Sequence, residues 1–403
     1  MAGFALDPEQ EQWCERLRAL AAERLGPLAG KGEPGRVNRP LLAALGEHGL
    51  LERVFSAGAL DLCLLRESLA YGCTEAETAL ALQGLGAHPV LSAGSAAQRE
   101  RWLPGVRAGR TVAAFALSEP GAGSDAAALA LAAEPDAAGG GGGGAGGWRL
   151  TGEKRWISNA PEADFYTVFA RTGEGPGAKG VSAFLVPADR PGLTGESLDM
   201  LSPHAIGALR FDGVPVGPED LLGEPGRGFR VAMDTLNRFR PSVGAFAVGM
   251  ARAALDATLA HTARRTAFGG VLGDLQAVAH RVAEMATRTE AARLLVYAAA
   301  GAYDADSGAP DVPRRAAMAK LLATETAQYV VDHAVQLHGA VALQRGHLLE
   351  HLYREVRAPR IYEGASEVQR TIIARSLYGE HGQQAQHGQQ AQQAQHGPAG
   401  VTR

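Results

Sequence analysis

Cysteine is scarce: Cys14, Cys63 and Cys73 are the only three in 403 residues. None forms a C-x-x-C pair and any pairing leaves an odd thiol, which argues against a disulfide framework and fits a reducing compartment. An excess of positive charge is also missing. Lys and Arg number 39 against 43 Asp and Glu, so the formal charge of -4 leaves no electrostatic footprint for nucleic acid or an anionic membrane surface. Long charge-free apolar runs are lacking too, since Leu294 to Tyr303 and Pro241 to Ala251 fall well short of the ~18 residues that cross a bilayer. The opening MAGFALDPEQEQ carries acids where a signal peptide needs a basic region. The expectation is a cytoplasmic protein that engages neither nucleic acid nor membrane.

What is present is the composition of a soluble globular chain, 46% hydrophobic and 20% charged, long enough for several cores. From Pro8 to about Arg110 the apolar spacing is helical, with Trp13, Leu17, Leu20 and Ala21 on one face and Leu41, Leu42, Leu45, Leu50 and Leu51 continuing it. Near Thr111 the texture changes to short apolar segments split by Gly, Pro and Asp: Val112 to Leu117, Trp148 to Leu150, Phe165 to Phe169, Val181 to Val186 and Leu209 to Phe211. The glycine run at 139–147 reads as a flexible hairpin connection among them, because such a tract has too much backbone entropy to lose in a strand. Helical periodicity returns from Gly228, with Pro241 placed to open a helix and Asp304 to Pro313 as the main break. The expected class is α+β: a helical N-terminal domain over 1–110, a β domain over 111–222, and a second helical domain over 223–378. The Gln-, His- and Gly-rich stretch 379–403 has almost nothing apolar to bury and reads as a disordered tail.

Two short motifs mimic other chemistries. Gly121 to Ala126 satisfies G-x-G-x-x-A after a strand-like run, but a dinucleotide fingerprint needs a helix and a second parallel strand, and short β segments follow instead. His347 to His351 matches H-x-x-E-H, yet Leu348, Leu349 and Leu352 make it the solvated face of an amphipathic helix; no metal is expected.

Several separate segments, in order, carry more information. They are Glu67 to Thr74 (ESLAYGCT), Phe115 to Asp125 (FALSEPGAGSD), Gly152 to Asn159 (GEKRWISN), Arg265 to Gly269 (RTAFG) with Gln276, Gln336 to Gly339 (QLHG), and Ile361 to Arg370 (IYEGASEVQR). In these segments the chain resembles the acyl-CoA dehydrogenases over about residues 8 to 378. The resemblance implies two helical domains around a small barrel-like β domain, a four-helix C-terminal bundle, FAD at their junction and a homotetramer or dimer. It further implies α,β-dehydrogenation of an acyl thioester of coenzyme A or a carrier protein, with electrons passed to an electron-transfer flavoprotein.

Desaturating a thioester between its α and β carbons requires a fixed base for the weakly acidic α-proton while hydride leaves the β carbon for an oxidised cofactor. Glu363 is the candidate base: Gly364 beside it lets substrate approach the backbone, and an apolar pocket raises a carboxyl pKa toward neutrality. The other reading is an acid on an ordinary helix N-terminus. In the resembled family the position of Glu363 carries the catalytic carboxylate, and its backbone N–H polarises the thioester carbonyl. Some members place the base immediately before the arginine matched by Arg240; here that place holds Phe239, which cannot take a proton. By resemblance Phe115, Leu117, Ser118, Gly123 and Ser124 lie beside the flavin ring and substrate, Trp156 and Ser158 flank its other edge, and Ser158 reaches flavin N5. Trp156 also reads as a core aromatic of the β domain. Arg265, Phe268 and Gln276 match residues that hold the cofactor from a neighbouring subunit, Gln336 and Gly339 match the adenosine contact, and Ala365 and Glu367 border the cofactor beside the base. Ser124, Asn237, Arg240 and Gly364 are the substrate contacts implied. Three departures stand out: Leu51 to Leu64 is short, Ala340 replaces a usual glycine and Ala365 a usual threonine. The competing functions are a flavin oxidase or monooxygenase, which needs no α-proton base, and a catalytically silent binding protein on the same scaffold.

Overall fold

The computed structural model describes residues 6–136, 146–173, 175 and 177–379. The glycine run at 139–145 and the tail from 380 onward lie outside the described residues. Seven helices come first: α1 (Pro8–Leu20), α2 (Gly26–Ala29), α3 (Arg39–Glu47), α4 (Leu50–Ser56), α5 (Ala59–Gly72), α6 (Thr74–Ala93) and α7 (Ala96–Arg107). Asp7 starts α1 by accepting from the Gln10 N–H while Gln10 returns a bond, with Pro8 at the first turn where its missing N–H costs nothing. The stretch Leu51 to Leu64 is the rest of α4 and the start of α5, joined by Ala57 and Gly58.

A curled seven-stranded sheet follows, built of β1 (Ala113–Ala116), β2 (Ala132–Pro135), β3 (Trp148–Ser158), β4 (Phe165–Arg171), β5 (Val181–Pro187), β6 (Leu193–Ser197) and β7 (Ile206–Val216). Strands β2, β3, β7 and β6 are antiparallel in that order; β4 pairs antiparallel with β5 and parallel with β1, and the pair Ala132–Arg171 joins the two halves. β4 and β5 are apolar on both faces because helices cover them, whereas β6 is an exposed edge. Neither β2 nor β6 was expected from the sequence. The register of β3 on β7 slips between Lys154 and Ile157, and at that bulge Trp156 takes φ 58°.

The third layer consists of α8 (Gly228–Thr262), a two-strand hairpin β8 (Thr266–Ala267) and β9 (Gly270–Val271), α9 (Gln276–Ala305), α10 (Val312–His338), α11 (Leu348–Glu355) and α12 over 366–379. Helices α8, α9 and α10 pack on one another, and α12 joins α10 through Ser366 to Glu325 at 2.6 Å, completing the bundle. Contrary to expectation Pro241 opens no helix, for α8 runs unbroken through it. Every residue from Phe239 to Ala251 is buried, and that packing outweighs the one backbone bond a proline removes. By length and composition α8 is apolar enough to span a bilayer, but 72% of that window is buried inside the fold, as in a core helix.

Small residues let α8 approach its neighbours closely, with Ala247, Ala251 and Ala254 facing Ala319, Ala323 and Ala327 in one buried cluster. At Gly249 an added Cβ would run into the Glu67 carbonyl and lie 2.7 Å from Ala70 Cβ, both on α5. Backbone cannot yield as a flexible side chain can. Gly249→Ala is therefore expected to cost about 1–3 kcal/mol by overpacking, read as a lower midpoint of thermal unfolding; an unchanged midpoint would show that α5 and α8 are not locked at this spacing.

Candidate active site

Glu363 lies in the turn between the short 3₁₀ segment Ala358–Arg360 and α12, at φ 50°, followed by Gly364 at φ 93°. A left-handed conformation costs a non-glycine residue about 1–2 kcal/mol, so the surroundings must hold it. They do so through the two carbonyls of the turn. Lys320 Nζ donates to Gly364 O at 2.6 Å, Gln369 Nε2 to Gly364 O at 2.8 Å and Glu363 O at 3.3 Å, and Arg240 Nε to Glu363 O at 3.3 Å. Any side chain at Gly364 would strike Gln369. Glu363 Oε2 is fully buried and accepts no hydrogen bond.

Burial pushes the Glu363 carboxyl above its ordinary pKa, against the pull of Arg66, Lys320 and Arg240. Arg66 of α5 is 3% exposed; its Nε donates to Glu77 of α6 and its Nη1 to Ser242 Oγ of α8 at 2.6 Å. Burial also raises Glu77, to about 7, and lowers Lys320 to about 8. Three helices thus bring cations around a half-buried carboxyl whose Oε2 is enclosed. Arg66, Glu77, Lys320 and Gln369 went unrecognised in the sequence; the one local signal was an arginine inside the leucine-rich stretch Leu60 to Leu69.

Arg240 is 7% exposed and braces the turn, with Nη1 donating to Asn237 Oδ1 at 3.0 Å. Phe239 is buried edge-on to His88, with ring centroids 5.9 Å apart, and offers no proton acceptor. Nearby Arg238 ties α8 to the α4–α5 junction, donating to Ala57 O at 2.7 Å. Ala365 precedes α12, and the exposed Glu367 pairs with Arg370 at 3.2 Å.

The β domain presents a second group. Trp156 is 45% exposed, so it is not a core aromatic. Beside the Trp156 bulge, Lys154 runs inward, donating to Leu117 O at 2.9 Å and Glu119 Oε1 at 2.7 Å, while Glu119 accepts from the N–H groups of Ala130 and Leu131. This buried pair fixes the β1 exit that carries Leu117 and Ser118; Ser118 O accepts from Arg155 N at 3.0 Å. Phe115 packs on Phe169 with centroids 4.9 Å apart. In the following turn Gly123 and Ser124 are exposed, and a Cβ on Gly121 or Gly123 would meet nothing within 4 Å. Ser158 Oγ lies 3.4 Å from His204 Nε2.

A third group gathers far away. Thr262 lies about 33 Å along α8 from Arg240 at ~1.5 Å per residue, and beyond it Arg265 and Phe268 sit on the β8–β9 hairpin, with Gln276 opening α9. Phe268 is 91% exposed at φ 55°. Gln336 and Gly339, at the end of α10, meet this same end because His338 stacks on His261 with centroids 4.1 Å apart. The fold therefore does not bring these five residues to Glu363 within one chain.

Both mimicking motifs resolve. After Gly121 to Ala126 comes a short turn and then β2, antiparallel to β3, with no helix to complete a dinucleotide fold. His347 Nδ1 accepts from Leu349 N and its ring meets His338, Glu350 pairs with Arg354 at 2.8 Å, and His351 bonds Thr74 Oγ1 at 2.5 Å, while Leu348 is exposed; contrary to expectation the histidines face neighbouring helices, and only Leu349 and Leu352 form the buried apolar face.

Comparison with known proteins decides the family. The N-terminal, middle and C-terminal domains of acyl-CoA dehydrogenase match residues 7–110, 114–214 and 226–378. The chain belongs to the acyl-CoA dehydrogenase family. It is 36% identical to the short-chain specific acyl-CoA dehydrogenase of Bos taurus mitochondria over 92% of this chain and 90% of that one. Among solved structures, butyryl-CoA dehydrogenase from Megasphaera elsdenii superposes with a TM-score of 0.84 at 30% identity, covering 93% of this chain and all of the other. PigA with FAD and proline gives 0.84 at 27% identity, covering 93% and 99%. The protein is an oxidoreductase of acyl-CoA dehydrogenation, and its cofactor is FAD. The residues present fit a flavin: an exposed indole on a strained bulge, a glycine turn open to close approach, and an unpartnered buried carboxylate oxygen.

Arg66→Met leaves Glu77 buried without its counter-charge and is expected to cost about 3–5 kcal/mol. The double variant with Glu77→Gln removes both charges and should recover most of that loss in thermal unfolding. Equal destabilisation of single and double variants would show that the pair is not what joins α5 to α6 here.

Proposed function

We propose that Glu363 is the general base for the α-proton of a coenzyme A thioester, leaving the 2,3-enoyl thioester as product. The observation that carries this reading is its Oε2, enclosed and without a hydrogen-bond donor, on a turn held in an otherwise unfavourable conformation. A base of this kind gains proton affinity from desolvation, and Arg66, Lys320 and Arg240 keep enough of the carboxyl ionised to act. The backbone N–H of Glu363 polarises the thioester carbonyl, which acidifies the α-carbon. Gly364 admits the carbonyl close to the main chain, and Lys320, Gln369 and Arg240 keep that N–H aimed. FAD, when bound, supplies the acceptor for the hydride released from the β carbon.

Trp156, Ser158 and the Leu117 to Ser124 segment form the face against the flavin ring, with Ser158 toward N5. Arg265, Phe268, Gln276, Gln336 and Gly339 bind the diphosphate and adenosine of a neighbouring subunit's cofactor, which accounts for an aromatic 91% exposed and far from Glu363. The working unit is thus a dimer or tetramer, reoxidised by an electron-transfer flavoprotein in the reducing cytoplasm that three free thiols suit.

Glu363→Gln keeps shape and backbone N–H, so FAD content and thioester-induced changes in the flavin spectrum should persist while flavin bleaching slows at least about 10²–10⁴-fold. Near wild-type bleaching by a thioester the parent accepts would remove Glu363 as the base. Arg265→Ala should purify depleted in flavin and regain turnover with added FAD, since its partner is a diphosphate remote from the reacting carbons. Full flavin with lost turnover would contradict that placement.

A further inference from the structure

Each turnover leaves two protons to be disposed of. One is the α-proton taken by Glu363; the other arrives as hydride and stays behind as a proton once an electron-accepting flavoprotein has removed its two electrons. With Ser158 placed at N5, the second has beside it a continuous polar chain that begins at the half-buried Ser158 and His204 and ends at the buried Ser202 and Glu355. Ser158 Oγ lies 3.4 Å from His204 Nε2, His204 Nδ1 lies 3.0 Å from Ser202 Oγ, and Ser202 Oγ donates to Glu355 Oε1 at 2.8 Å. Glu355 closes α11 and lines a cavity of about 940 Å³ that His204 also borders.

We propose that Ser158, His204, Ser202 and Glu355 form the exit for the proton left at flavin N5 on reoxidation, which deepens the placement of Ser158 above and rests on it. One set of donor directions suits it. With Glu355 ionised, Ser202 donates to it, the His204 Nδ1–H donates to Ser202, and the Nε2 lone pair accepts the Ser158 hydroxyl; Ser158 Oγ is then left as an acceptor toward the ring. As the electrons depart, Ser158 takes the N5 proton and passes its own to His204 Nε2. His204 gives its Nδ1 proton to Ser202, and Ser202 gives its hydroxyl proton to the Glu355 carboxylate. Each relay group ends with as many protons as it began with, and Glu355 carries one more until the cavity water takes it.

The electrostatics suit both ends of the chain. Burial lowers His204 to about 4, so at neutral pH the ring carries one proton and one lone pair, as a relay needs. Burial raises Glu355 to about 7, with Ser202 and Arg354 pulling it down and Glu75 and Glu77 pushing it up. Tyr362, whose own pKa burial raises well above the usual phenol value, is also near it, and His351, Arg345, Arg36, Glu33 and Asp199 are further titratable or charged groups lining the same cavity. A carboxyl near 7 both accepts and releases a proton in the physiological range.

The test needs no acyl substrate. Holoenzyme reduced anaerobically with dithionite is mixed with ferricenium, a one-electron oxidant that takes no proton, and flavin absorbance is followed across pH. In wild type the reoxidation rate should climb as pH rises through about 7, because Glu355 must be ionised to accept. His204→Ala and Glu355→Gln should each be slower by at least about tenfold and lose that climb, and added imidazole should restore the His204→Ala rate. Melting temperature and flavin content of the near-isosteric Glu355→Gln separate this effect from misfolding. Wild-type rates and pH profile in both variants would overturn the relay. If Ser158→Ala shifts the flavin spectrum while those two variants behave as wild type, the relay alone fails; if Ser158→Ala changes neither spectrum nor reoxidation, the placement of Ser158 at the flavin fails with it.

Discussion

The structure is organised around the burial of one carboxyl in a backbone conformation that costs energy. A glutamate at φ 50° with an enclosed, unpartnered oxygen is not self-sustaining. Its neighbours hold the turn by its carbonyls, leaving the carboxyl free: Lys320 from α10, Arg240 from α8 and Gln369 from α12 all donate to main-chain oxygens. This division of labour matters chemically, because a carboxylate saturated with hydrogen bonds would be a poor base.

The same constraint explains the packing beyond the turn. Arg66, a charge near the carboxyl, must itself be paired in a buried setting; Glu77 of α6 supplies the counter-charge and Ser242 of α8 accepts a hydrogen bond from it. Gly249 on α8 lets α5 come near enough for the bond to Ser242 to form. On the β side another buried pair, Lys154 with Glu119, fixes the exit of β1 that carries Leu117 and Ser118, and the bulge in β3 leaves Trp156 exposed.

Much of this was legible in the sequence where a local rule applied. The strands at Phe165 to Phe169 and Val181 to Val186 and the helical return at Gly228 follow from spacing and composition, whereas Glu363 beside Gly364 is picked out by the resemblance of its segment. What escaped lacks a local signature. β2 ends in Glu134 and Pro135, and β6 is an exposed edge with one half-buried side chain, so neither carries the apolar alternation of a strand. Pro241 read as a boundary because the tertiary burial that carries α8 through it is invisible in sequence. Arg66 meets Glu77 across the break between two helices, and Ser202 meets Glu355 from 153 residues away. No spacing rule reports such partners.

The central claim is that Glu363 removes a proton from the carbon next to a thioester carbonyl. Acetyl-CoA isolates that step, since it has α-hydrogens but no β-carbon from which hydride could depart. Holoenzyme incubated anaerobically with acetyl-CoA in D₂O, followed by mass spectrometry of the recovered thioester, should show deuterium entering the acetyl methyl group with the wild type and not with Glu363→Gln. Equal deuterium uptake with the two proteins would contradict the account.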